Sequence, residues 1–114
     1  MPESLNKARL ATFALALTMT APLLAAETAA PPPQRQRDLL HLLRHDCGSC
    51  HGMRMTGGLG PPLTPAALNG KPDDLLTATV LLGRPGTPMP PWQGLLSEAD
   101  AVWLVERLRE GLTP

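Results

Sequence analysis

The sequence predicts an all-α domain of short helices joined by long loops, and three observations predict it. Three segments carry apolar side chains at helical spacing, and the last two are bracketed by capping and stop residues. The stretches between them are crowded with Pro and Gly, 14 and 10 in the whole chain, which break helices and favour ordered turns. No segment alternates apolar and polar residues for long enough to read as a strand.

The 114 residues leave room for one small domain, and the first stretch reads as something else. Lys7 and Arg9 precede an apolar run from Leu10 to Leu24, and small residues then gather at Ala25, Ala26, Ala29 and Ala30. A basic start, an apolar middle and a small-residue exit make a secretory signal peptide. The uncharged run from Leu10 to Ala26 is short for a membrane span. Residues 1–26 are therefore expected to be removed on export, with the cut falling as late as Ala30; a retained anchor is the other reading. Residues 27–36 are expected to form an extended linker, since Pro31-Pro32-Pro33 fixes φ and removes amide donors. The domain proper is expected over residues 37–114.

The first helix is expected from about Arg35 to Cys47, with Leu39, Leu40, Leu42 and Leu43 crowding one side. Residues 52–72 read as loop. A second helix is expected from Asp73, its cap, to Leu82, with Gly83 as the stop. Another loop spans Arg84 to Leu96. The last helix has the clearest signal. Ser97 and Asp100 are spaced as a capping box, with Asp where Glu or Gln is usual. Ala101, Val102, Val105, Leu108 and Leu112 then form a stripe that Trp103 and Leu104 widen, and Gly111 ends it.

Removing residues 1–26 leaves eight basic and nine acidic side chains, a formal net charge of −1. That balance lacks the basic face a nucleic-acid partner would require. The remaining 88 residues hold no Tyr and two Trp. A core of that size supplies only roughly 3–5 kcal/mol, and such folds usually need a staple, a metal or a cofactor.

Cys47-Gly48-Ser49-Cys50-His51 indicates which. A Cys-x-x-Cys-His run reads as covalent attachment of one haem c. Two thiols a helical turn apart reach the two vinyl groups on one porphyrin edge, and the adjoining His is carried under the ring towards iron. A zinc site would need a fourth ligand, which His41 or His45 could supply. A thioredoxin-like pair would want a βαβ pattern. A disulfide would close a tiny loop and leave the core small. Haem explains both the export signal and the missing core.

For the opposite iron face the methionines past the motif are Met53, Met55 and Met89. Met53 and Met55 start on the same face as His51. Met89 comes after a helix that can turn the chain, and Pro88, Pro90 and Pro91 preset its backbone. Its alternative role is to fill a gap in the core. Trp92 either donates its indole N–H to a haem propionate or packs inside. His41 and His45 fall on the first helix as surface or outer residues, with a bis-His haem as a minor option.

The domain resembles a class I monohaem cytochrome c, and within that class the cytochrome c55X family. The resemblance rests on the Cys47–Gly52 motif, on Gly57-Gly58-Leu59-Gly60-Pro61-Pro62-Leu63, on Gly83-Arg84-Pro85-Gly86-Thr87-Pro88-Met89-Pro90 and on the helix containing Trp103. It implies the class I cytochrome c fold, with short helices and Pro/Gly loops wrapped around one covalent haem. It also implies Met89 as the second axial ligand and the Pro61 carbonyl as acceptor for the His51 ring. Trp103 would pack on the first helix, against Leu42 or Leu43 in place of the family's aromatic. His and Met ligation leaves no open iron position, so the implied function is single-electron transfer without catalysis by the chain. The resemblance places the protein in the periplasm among denitrification proteins, as donor to cytochrome cd1 nitrite reductase or acceptor from a haem d1 dehydrogenase. A haem-based sensor or small peroxidase with a labile Met89 is the alternative, and a tetrapyrrole carrier is another.

Overall fold

Pro32 is held extended (φ −62°, ψ 156°) and Pro33 opens helix α1, Pro33–Leu42. Proline suits a first helical position because its missing N–H would be unpaired there anyway. The helix thus begins two residues before the expected Arg35, inside the expected linker. The structure, a computed structural model, describes residues 29–112. The expected signal peptide over residues 1–26 lies outside the described residues, as do residues 27, 28, 113 and 114.

Helix α1 does not stop at Leu42. It widens into a π-helical turn, Leu43–Cys47, in which the Gly48 N–H reaches the Leu43 carbonyl, and tightens again into α2, Gly48–His51. One helical path therefore carries the chain from Pro33 to His51, past the expected end at Cys47. The loop beyond it contains a short helix that periodicity does not predict, α3, Pro65–Leu68. The Thr64 hydroxyl caps it by accepting from the Ala67 N–H at 3.3 Å, with Pro65 at its first position.

Helix α4, Asp73–Leu82, has the expected bounds but not the expected cap. Pro72, extended at ψ 144°, occupies the cap position, and Asp73 is the first helical residue. The Asp73 carboxylate instead pairs with Arg109. Both Asp73 and Asp74 still lie in the first turn, where the helix dipole favours negative charge.

Helix α5, Glu98–Glu110, forms as the sequence predicts. Ser97 Oγ accepts from the Asp100 N–H at 3.1 Å, and Asp100 Oδ2 accepts from the Ser97 N–H at 3.0 Å. Gly111 ends it at φ 85°. The buried stripe is Ala101, Trp103, Leu104, Val105 and Leu108; Val102 is only half-buried.

The core is one cluster of Leu39, Leu43, Met55, Leu68, Leu96, Trp103, Leu104 and Leu108. Trp103 and Leu43 share it, and Leu42 packs against its margin. Two arginines fasten α5 to the rest. Arg35 Nη2 lies 2.8 Å from Asp100 Oδ2 and 2.9 Å from the Leu95 carbonyl. Arg109 pairs with Asp73 and donates to the carbonyls of Leu68 and Lys71. No helix among the described residues is long and apolar enough to cross a membrane.

Candidate haem site

The Cys47–His51 turn ends abruptly because Gly52 adopts φ 88°, a left-handed conformation that side chains resist. The chain then folds back onto the helix end. Gly57 N–H donates to the His51 carbonyl and Gly60 N–H to the Cys50 carbonyl, both at 2.8 Å. These are carbonyls that a helix end leaves without an internal partner. Pairing them brings residues 57–61 alongside the His51 ring.

His51 Nδ1 sits 2.7 Å from the Pro61 carbonyl oxygen. A carbonyl only accepts, so Nδ1 carries the proton and Nε2 keeps its lone pair free for a metal. Gly60 makes this approach possible. A Cβ there would stand 2.7 Å from Cε1 and 2.8 Å from Nδ1 of the His51 ring. The structure thus joins His51 to Pro61, as the resemblance implies, and adds Gly60 as a contact that sequence reasoning missed.

Cys47 and Cys50 are both free thiols, half-buried, on the turn that leads into His51. Burial, then the neighbouring Asp46 carboxylate, pushes the Cys47 thiol up to about 11. No three His, Cys, Asp or Glu side chains among the described residues are grouped to hold a metal ion.

The other methionines separate cleanly. Met55 has φ 58° and is 2% exposed, its thioether locked in the core. Met53 is 61% exposed. Met89 is half-buried on the loop between α4 and α5, and that loop is fastened at both ends. Arg84 N–H donates to the Met89 carbonyl at 3.1 Å, and the Thr87 hydroxyl lies 2.6 Å from the Arg84 carbonyl. Beyond Met89, the amides of Trp92 and Gln93 donate to the Val80 and Leu81 carbonyls of α4 at 3.2 and 3.0 Å. Trp92 is half-buried against the core cluster. Met89 and Trp92 thus occupy a loop separate from the Cys47–His51 turn, with no hydrogen bond between the two.

Residues 34–106 match the family model described as cytochrome C oxidase, cbb3-type, subunit III. Over 99 residues the chain is 65% identical to cytochrome c55X of Pseudomonas aeruginosa, covering 87% of this chain and 83% of that protein. This chain belongs to the cytochrome c55X family. The solved c-type cytochrome NirC superposes with a TM-score of 0.69 at 69% identity, over 70% of this chain and 94% of that one. A solved dihydro-haem d1 dehydrogenase, NirN in complex with DHE, superposes at 0.60 with 35% identity. That match covers 66% of this chain and 16% of the dehydrogenase.

Like other cytochromes c55X, this one carries covalent haem c with its iron. The residues fit the group. Two thiols precede a His whose tautomer is set by Pro61, and a Gly stands where any side chain would strike the ring.

Proposed function

We propose that this cytochrome c55X is a periplasmic carrier of single electrons, with haem c held by Cys47 and Cys50 and with His51 and Met89 as iron ligands. The observation that carries the reading is the Nδ1–Pro61 bond of His51, which presents Nε2 one residue past the second thiol. When bound, the haem iron supplies a ferrous–ferric couple. The chain supplies the rest. Cys47 and Cys50 form thioethers that fix the cofactor edge, and Pro61 holds the His51 ring and raises its basicity. Met89, on its fastened loop, would be the second protein ligand to the iron, a thioether donor that would raise the potential. Trp92 flanks the Met89 loop, with its indole N–H available to a haem propionate. Two protein ligands leave no coordination site for substrate, so the chain transfers electrons rather than catalysing a reaction.

The likeness to part of a dihydro-haem d1 dehydrogenase supports a place in denitrification. The cytochrome accepts electrons from such a dehydrogenase, or donates them to cytochrome cd1 nitrite reductase. Residues 1–26 direct export and are removed by residue 30 at the latest. The exported chain keeps a linker over 27–36 and a haem domain over 37–114, with α1 reaching back into the linker to Pro33.

Stopped-flow mixing tests this directly. Ferric cytochrome is mixed with the dehydrogenase and its substrate, and ferrous cytochrome with the reductase and nitrite. One pair should exchange electrons much faster than a mismatched cytochrome of equal potential. No advantage in either pair would contradict the assignment.

A further inference from the structure

A pair of histidines stands outside the haem site and takes no part in it. His41 lies in α1 and His45 in the π-helical turn after it, one turn further on. Both side chains are exposed. Their ring centroids are 4.3 Å apart, with the planes tilted by 43°. Among the described residues neither ring is hydrogen-bonded to another group, so no structural contact occupies their nitrogens.

We propose that His41 and His45 form a surface site for one borderline divalent cation of the first transition row, such as zinc or copper(II). Imidazole suits these ions, and copper(II) binds nitrogen donors most strongly among them. The geometry agrees with the chemistry. A cation about 2.0–2.1 Å from two imidazole nitrogens needs those nitrogens about 3 Å apart. The ring centroids already lie 4.3 Å apart, close enough for one ion to meet a nitrogen of each. The helix is continuous from Pro33 to His51, which pre-orders both ligands.

The site is two-coordinate from the protein. No third His, Cys, Asp or Glu among the described residues is grouped with the pair. Its remaining positions are open to water or to a donor from another molecule. That makes it a chelating pair of moderate strength, unlike the closed four-ligand sites that stabilise folds. It is also distinct from the zinc reading of the Cys47–His51 motif. In the haem-loaded protein those cysteines are thioethers and His51 is an iron ligand, so they cannot contribute.

The test uses the haem-loaded protein. Zinc is titrated calorimetrically into wild type, His41→Ala, His45→Ala and the double variant. Proton NMR of the diamagnetic ferrous form tracks the imidazole signals. We expect one ion per chain, perturbation of the His41 and His45 ring signals, and binding at least tenfold weaker in each single variant. An unchanged haem absorbance in every variant shows that the fold and haem site are intact. Wild-type affinity in the double variant, or no binding by wild type at millimolar zinc, would overturn the proposal.

Discussion

Replacing Gly60 with alanine adds one methyl group against the face of the His51 ring. Its Cβ would lie 2.7, 2.8 and 3.2 Å from Cε1, Nδ1 and Nε2, whereas unstrained heavy-atom contacts begin at about 3.5 Å. The ring must shift by nearly 1 Å (~0.8 Å), which carries Nδ1 out of line with the Pro61 carbonyl it now meets at 2.7 Å and weakens that bond. Gly60 is not among the glycines with positive φ, so the effect comes from contact and not from the backbone. A neutral hydrogen bond contributes about 0.5–1.5 kcal/mol, equivalent to about 20–60 mV for a one-electron couple. Losing it makes His51 less basic and the ferric state less favourable, so the potential should rise, with 60 mV as a rough ceiling. Potentiometric titration of the haem protein measures this, and NMR of the ferrous form tracks the Nδ1 proton. Gly52→Ala is the contrast. It strains φ 88° and meets the Gly57 carbonyl at 2.7 Å, so it should lower stability first. A Gly60→Ala protein with unchanged potential and an unshifted Nδ1 proton would refute the positioning argument.

Asp100→Ala should destabilise the haem protein by about 2–3 kcal/mol, because it takes the carboxylate acceptor from the Ser97 N–H and removes the charged bonds to Arg35, while the Ser97 hydroxyl keeps its own half of the cap. The Arg35 side chain is 37% exposed, which holds its share towards the low end. Thermal unfolding should fall by roughly 10–20 °C, and a double-mutant cycle showing no coupling to Arg35 would contradict the pairing. The bond from Arg35 holds the Asp100 carboxyl below the usual carboxylate range, helped by the Ser97 N–H and hydroxyl. This contribution is present above about pH 4 and is lost as pH falls through the lower native value; acid unfolding of Asp100→Ala should therefore be less steep. Cys47→Ala or Cys50→Ala should leave one thioether and cut folded yield sharply, and a well-folded haem-free double variant would be incompatible with a haem-dependent core. Residues 55–70 and 85–96 carry no charge, and Leu59 and Leu95 are 75% and 69% exposed. Electron exchange through these uncharged loops should depend only weakly on ionic strength, and a steep loss of rate with salt would point to charged docking.

The elements legible in the sequence are those fixed by neighbours. Helix α5 announces itself through Ser97, Asp100 and Gly111, and α4 through its spacing and Gly83, because caps act over three or four residues. The cap expected at Asp73 sits one position earlier, since Pro72 takes the extended conformation that a cap needs. The Thr64-Pro65 pair carries a signal for α3, but a four-residue helix is hard to tell from a turn by periodicity. The π-helical turn has no local signature in Leu43–Cys47. At the site, the motif names Cys47, Cys50 and His51, and the resemblance supplies Pro61. The Gly60 contact depends on the loop returning to the Cys50 and His51 carbonyls, and the Arg35–Asp100 pair spans 65 positions. Neither can be read from spacing. Met55 and Met53 look alike in sequence, yet a left-handed backbone at Met55 buries one and leaves the other exposed.

The central claim is that His51 and Met89 close the two iron faces of a covalent haem. Ferric spectra and reduction potentials of wild type, Met53→Ala, Met55→Ala and Met89→Ala test it most directly. Met ligation gives a charge-transfer band at the red edge of the ferric spectrum and raises the potential. The band should vanish and the potential fall in Met89→Ala alone, while both persist in Met53→Ala and Met55→Ala. An unchanged band in Met89→Ala, or its loss in either of the other two, would contradict the account.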